Sequence, residues 1–245
     1  MAGLQVALFA AAMFGAAFLQ AASGFGFALL AMPLVTLALG LEAAGPVVAA
    51  AALLLYVTNT VRLRRHVNWG EWTRLGAAGL AGVPLGFWLS AAVPAGWVRA
   101  VLGVLLIAYA GYALAAAPAL GEGLRPSAPS AGWVYVVGLT AGTLAGAYNI
   151  PGPPLVVYGD LKAWARDEYR ATLQAVFLLS GLLVVGGHLT LGHFTADAGR
   201  LILISVPALI AGNLAGQAAD RYLHGRRFRQ LVLVLILATG LALLV

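Results

Sequence analysis

The chain has 245 residues, 62% of them hydrophobic and 9% charged, against roughly 45–50% and about 25% in ordinary globular domains. So little polar sequence cannot cover so much apolar surface in water, which excludes a soluble protein. With no cysteine there is no disulfide framework, thiol nucleophile or thiolate metal site, and the net charge of +6 matters for its placement rather than its sum.

The opening Met1-Ala2-Gly3-Leu4-Gln5 carries no basic region, so a cleaved signal peptide is not expected. Apolar runs at 3–22 and 27–40 flank a small-residue break, Ser23-Gly24-Phe25-Gly26. Spans follow at 44–61, 75–92 and 97–117, then a Pro/Ser/Gly-rich linker at 118–131. Beyond it, 132–150 and 152–159 flank a second break, and spans follow at 171–191, 201–219 and 231–245. Most runs hold the ~20 residues needed to cross a ~30 Å hydrocarbon core. The strict polar–apolar alternation of a lipid-facing barrel is absent. The expected fold is all-α, a polytopic integral membrane protein.

Lys and Arg placement sets orientation. If each span crosses once and each broken pair returns to its own side, every basic residue except Arg99 and Arg200 falls on one face. The crowded loops carry Arg62, Arg64, Arg65 and Arg74; Arg125; Lys162, Arg166 and Arg170; and Arg221, Arg226, Arg227 and Arg229. That face is expected to be cytoplasmic, with both termini outside a plasma membrane. As helices, 152–159 would be only ~12 Å long and 27–40 only ~21 Å. Both broken pairs therefore read as re-entrant hairpins with tips near mid-membrane, the alternative being two tilted full spans each.

Laying Gly26 on Gly152 also places Glu71, Arg74 and Leu75 on Asp197, Arg200 and Leu201, and Leu41-Glu42 on Asp167-Glu168. With short indels, Gly82 and Gly86 pair with Gly212 and Gly216. Equivalent loops carry opposite charge character and so lie on opposite faces, the signature of inverted-topology repeats, found mainly in transporters and channels. The expected division is 1–117 as a first repeat, 118–131 as a cytoplasmic linker and 132–245 as a second, inverted repeat. Each repeat would be a hairpin plus three transmembrane helices.

The motifs themselves are distinctive. QAASGFGFALLAMP at 20–33 resembles the glycine-rich first motif of the TauE/SafE family of sulfite and organosulfonate exporters. RLRRHVNW at 62–69 with GVPLG at 82–86 resembles that family's basic loop and the helix after it. GTLAGAYNIPG at 142–152 sits where the family repeats its glycine motif. One departure is IPGPP at 150–154, where the family usually carries a run of glycines. The resemblance implies a permease for small sulfur-containing anions such as sulfite, thiosulfate or sulfonates.

Irregular backbone at membrane depth is tolerated only inside protein or beside a wet cavity. Two returning helices would point their N-termini at one midplane site and favour an anion there without a buried Lys or Arg. The substrate-binding candidates are Ser23, Gly24, Phe25, Gly26, Tyr148, Asn149, Gly152 and Pro153, with Asn59 and Gln174 as cavity-lining residues. Bland alternatives stand beside them. Gly24 and Gly26 would permit close packing, Ser23 and Asn149 would cap helix ends, Tyr148 would pack. Gln20, Thr58, Asn213 and Gln217 read as interhelical glue, His188 as an interface residue, and Trp69, Trp72 and Trp164 as interfacial anchors.

No carboxylate falls at the centre of a span, so no proton relay is legible. A Ser23–His188 dyad would need residues at different depths, which excludes an intramembrane protease. The arginines are spread as loop flanks, which excludes nucleic-acid binding. No catalytic residue, cofactor or metal is expected. Expected partners are a small anionic substrate and membrane lipid, with a homodimer left open. Alternating access is the leading reading, with an anion channel of the same fold, or transport of a non-sulfur solute, as alternatives.

Overall fold

The computed structural model describes residues 3–119, 130, 132–219, 233–234, 236–238, 240–242 and 244. Among them the elements are α1 (Gly3–Ser23), α2 (Phe27–Leu39), α3 (Leu41–Leu63), a 3-10 turn (Arg64–His66), α4 (Trp69–Ala92) and α5 (Ala95–Ala119). After the linker come α6 (Trp133–Tyr148), α7 (Gly152–Leu161), α8 (Arg166–Thr190) and α9 (Ala196–Ala219). No strand occurs among the described residues. Among the described residues, five stretches are long and apolar enough to cross a membrane: Gln5–Ser23, Leu41–His66, Trp69–Ala92, Arg166–Thr190 and Ala196–Ala219. The chain is an all-α, multi-pass membrane protein. Most of the 118–131 linker, much of the expected 231–245 span, and Arg125, Arg221, Arg226, Arg227 and Arg229 lie outside the described residues.

Both interruptions form where expected. α2 has 13 residues and α7 has 10, so at ~1.5 Å per residue neither spans ~30 Å. The chain turns at the first break through Gly24 (φ +88°) and Gly26 (φ +108°), left-handed conformations that favour glycine. At the second, Asn149 takes the left-handed conformation (φ 59°) as the residue ending α6, and the prolines of 151–154 suit the start of α7.

The helix starts on the basic side differ from the sequence boundaries. α4 begins at Trp69 rather than 75, because the Asn68 side chain caps it by accepting from the Glu71 N–H at 3.0 Å. α8 begins at Arg166 rather than 171, with Asp167 and Glu168 in its first turn complementing the helix dipole. Arg170 therefore belongs to a membrane helix and is only 5% exposed, which corrects its expected place in a basic loop. Glu71 is likewise buried in the first turn of α4 rather than in a loop. The anchoring reading fits Trp69, which is exposed. Trp72 and Trp164 instead pack against the hydrophobic core.

α3 and α8 run antiparallel through the centre. Gly45 meets His188 near one end, the Tyr56 and Phe177 rings pair at 5.3 Å in the middle, and the Asn68 N–H donates to Thr172 Oγ1 at 3.0 Å near the other. Around this pair, α1 packs on α9 and α6 packs on α4. Both outer pairs are glycine-lined. Gly82 and Gly86 lie against α6 backbone at Leu139 and Thr143, and Gly212 and Gly216 lie against α1 backbone at Phe14 and Phe18. Large side chains such as Leu8, Trp88 and Leu203 point outward, as a lipid-facing surface requires.

A Cβ on Gly86 would meet the Thr143 carbonyl and come within 2.8 Å of the Ala147 amide nitrogen, rigid backbone that cannot step aside. Gly86→Val is expected to lower stability by about 1–3 kcal/mol or more, the usual range for overpacking. A thermal melt in detergent would check it, with Gly96→Val, where a Cβ meets nothing within 4 Å, as the comparison.

Candidate functional site

The two breaks meet beside the Tyr56–Phe177 pair. One small void is lined by Gln20, Gly26, Ala28, Leu29, Tyr56, Ile150, Pro151, Gly152 and Phe177. Residues from both breaks share it. A neighbouring void is lined by Tyr56, Asn149, Pro151, Phe177, Ser180 and Gly181 among others. Each has a volume of about 10 Å³, roughly room for one water. Ala28 and Leu29 stand in the first turn of α2, where backbone amides have no intrahelical acceptor. The void thus lies at a helix N-terminus, which favours negative charge. At the same terminus the Phe27 N–H is already taken, donating to Gln20 Oε1 at 2.9 Å.

Asn149 is the bridge between these voids and a much larger cavity. Its Nδ2 donates to the Gly45 carbonyl at 3.0 Å, and its side chain also lines a vestibule of about 670 Å³. The vestibule runs between α2, α3, α4, α6, α8 and α9. It is lined by Met32, Glu42, Phe87, Asn149, His188, His193 and Asp197 among others, and it lies at the end of the helix bundle opposite Arg62, Arg64, Arg65, Lys162 and Arg166. His188 is therefore a vestibule residue, 8% exposed, rather than a bilayer-interface residue. Its Nδ1 lies 2.9 Å from Nδ1 of His193, so one of the two nitrogens carries the proton and donates.

On the basic side of the voids the site is closed by side chains locking the first break. Gln174 Nε2 donates to the Gly24 carbonyl at 2.8 Å, and Arg170 donates through its guanidinium to the Ala21 carbonyl. A Cβ on Gly24 would sit 2.8 Å from Arg170 Cγ, so Gly24 also serves close packing. Further out, Lys162 Nζ and Tyr158 Oη reach Glu71 at 3.0 and 2.9 Å, tying α7 to α4. Lys162→Met would leave the nearly buried Glu71 carboxylate without its cationic partner and with the Tyr158 hydroxyl still donating to it. It is expected to lower stability by about 1–3 kcal/mol, the range for a buried polar group that loses one partner, read as a fall in the melting midpoint that Glu71→Gln in the same background reverses.

Of the sequence candidates, the structure brings Gly26, Asn149 and Gly152 to the two neighbouring voids, with Gly24 and Gln174 directly behind the first break. The Ser23 hydroxyl lies 2.7 Å from the Leu19 carbonyl and 2.5 Å from that of Phe25, capping its own break. Phe25 stands edge-on to Tyr109 at 6.4 Å. Tyr148 is buried in the core and lines neither the vestibule nor the two voids. Pro153 lines an apolar groove with residues of α5, α6 and α7. Asn59 is 1% exposed on α3, one turn from Tyr56. Sequence reasoning missed Tyr56 and Phe177, whose roles depend on pairing between distant helices. It also missed Arg170, for which the acidic first turn at Asp167-Glu168 was an available helix-start signal.

A family model described as Sulfite exporter TauE/SafE matches residues 8–243. The chain belongs to the TauE/SafE family. A curated TauE/SafE relative from Cupriavidus necator, named a probable sulfite/organosulfonate exporter TauE, is 26% identical over 224 residues, covering 88% of this chain and 82% of the relative. No solved structure matches the chain. Membership makes this TauE/SafE protein a membrane transporter rather than an enzyme, consistent with a centre built from backbone breaks, amides and one arginine.

Proposed function

We propose that the protein moves a small anion, a sulfur oxyanion or organosulfonate, by alternating access around the joined breaks at Gly26, Asn149 and Gly152. One observation carries this reading. The 670 Å³ vestibule ends at Asn149, while beyond it the path narrows to voids of about 10 Å³ bounded by Tyr56 and Phe177. A cavity open to one face and shut toward the other fits one state of an alternating-access transporter. The α2 N-terminus supports an anion at the junction. Arg170, close behind the first break, adds positive charge that a cation or neutral amino acid would not need.

Two inverted repeats, 1–117 and 132–245, are part of this reading. The pairing of α1 with α9 and of α4 with α6 supports them, since each joins the first helix of one half to the fourth of the other. With the basic loops cytoplasmic, the vestibule opens outward. The apolar outer face supports direct contact with lipid.

Purified protein in detergent should be stabilised by its substrate, by ~2.7 kcal/mol at a hundredfold excess over Kd. Thermal shifts with sulfite, thiosulfate or sulfoacetate, and none with acetate or neutral amino acids, are the expected result. Shifts with neutral solutes alone would overturn the anion assignment.

A further inference from the structure

The basic side of the Tyr56–Phe177 pair carries a set of buried polar atoms whose cost the closed conformation leaves unexplained. Gln20 Nε2, both side-chain polar atoms of Asn59, Thr60 Oγ1 and Gln174 Oε1 are buried without a hydrogen-bond partner among the described residues. Gln20, Asn59 and Gln174 are each 1% exposed, and Thr60 is 9% exposed. Buried polar groups are normally satisfied, and each exception calls for a physical reason.

Their placement is not scattered. The antiparallel register that sets Gly45 against His188 and Tyr56 against Phe177 brings Asn59 of α3 level with Gln174 of α8. Thr60 follows Asn59, and Gln20 of α1 lines the void at Gly26. Asn59 and Thr60 of α3 therefore stand at the level of Gln174 on α8, in a seam between the first break, which Gln174 and Gln20 both touch, and the basic loops. The other half of the same route, from the opposite face to Asn149, is an open vestibule. In bilayers and cores alike, amide-bearing side chains without partners gain by meeting water.

We infer that Gln20, Asn59, Thr60 and Gln174 form the closed inner half of the permeation path, an oxyanion station that hydrates when Tyr56 and Phe177 part. The free amide donors of Gln20 and Asn59 suit an oxyanion's acceptor oxygens, and the hydroxyl of Thr60 adds a third donor. Gln174 contributes an acceptor for water while its Nε2 holds Gly24. The inference rests on the alternating-access reading and adds to it the route and residues of the second opening.

The cysteine-free sequence allows a direct test in reconstituted vesicles. Single cysteines are introduced as Asn59→Cys, Gln174→Cys and Thr60→Cys, the last changing side-chain volume least. Ser90→Cys marks the vestibule, Arg65→Cys marks the basic face, and Ala16→Cys marks a fully buried position. Membrane-impermeant methanethiosulfonate reagents are applied to each face in turn, one anionic (sulfonatoethyl) and one cationic (trimethylammonioethyl). The expected result is modification of the seam cysteines from the Arg65 face only, at least about tenfold faster than Ala16→Cys, which reacts only through larger unfolding. Ser90→Cys should react from the opposite face only, and the anionic reagent should be the faster in the seam.

Seam cysteines that stay unreactive from the Arg65 face in variants that still transport would overturn the inference and leave the proposed function standing. Seam cysteines modified equally from both faces would overturn alternating access itself. Faster reaction with the cationic reagent would keep the route and overturn the anion assignment. Thr60→Cys guards against misfolding, because replacing a hydroxyl by a thiol there removes no satisfied hydrogen bond.

Discussion

Replacing Gly152 with valine is expected to reduce transport by about tenfold or more while the protein still folds and inserts. Gly152 lines the void that both breaks share, and the nearest atom to a Cβ there is Phe177 Cζ at 4.0 Å. The Cβ itself therefore meets no rigid backbone, while the two methyls must crowd into a void with room for about one water. Filling that space opposes any ligand and any rearrangement of Phe177, at a cost in the ~1–3 kcal/mol range of overpacking, and each 1.4 kcal/mol is a factor of ten. Initial rates in vesicles, normalised to reconstituted protein, would measure it. The glycine at the other break is a poorer probe. Gly24 has φ +88° and abuts Arg170, so Gly24→Val strains the backbone and confounds stability with transport. Wild-type rates for well-expressed Gly152→Val would remove the joined breaks as the site.

Arg170→Met is expected to have the second large effect, lowering both stability and transport. Arg170 is 5% exposed on α8, donates to the Ala21 carbonyl and packs its stem against Gly24. Methionine keeps much of the apolar stem but removes the charge and the donors. The Ala21 carbonyl, in the last turn of α1, then loses its charged partner, a loss of about 1–3 kcal/mol when the acceptor stays buried. Positive charge close behind the first break also disappears, weakening any anion there. Arg170→Lys separates the two contributions. It retains the charge but not the planar fork, so it should recover anion-dependent thermal shifts more fully than the melting midpoint. Arg170→Met with unchanged transport and melting would show that neither contribution matters.

The elements themselves were open to reading from the sequence. A run of apolar residues long enough to cross lipid is a one-dimensional property, and 44–61 lies within α3 and 201–219 within α9. The breaks were equally local, because Gly24, Gly26 and the prolines near 151 each restrict or release backbone torsions wherever they occur. Helix starts on the basic side were misjudged by several residues. Hydropathy ends at the last apolar residue, whereas α4 and α8 are extended by the Asn68 cap and the acidic turn at Asp167-Glu168. Those few residues decided whether Glu71 and Arg170 were surface groups or buried ones.

The site divided along the same line. Gly26, Asn149 and Gly152 were legible as breakpoints, and the chain's membership in a transport family was legible from the motifs around them. That Ser23 satisfies its hydroxyl within its own turn, that Pro153 lines a separate groove, and that Tyr56 faces Phe177 were not. Each depends on which helix lies beside which, and that is set by long-range packing such as the glycine contacts of α4 on α6 and α1 on α9. The sequence by itself determined a helical membrane protein with two broken segments, because lipid forbids unsatisfied backbone and so ties apolar length to helix. Only the tertiary structure decided that the breaks share one void, that a vestibule runs from one face as far as Asn149, and that a buried arginine stands behind the first break, because those facts arise where residues far apart in the chain are pressed together.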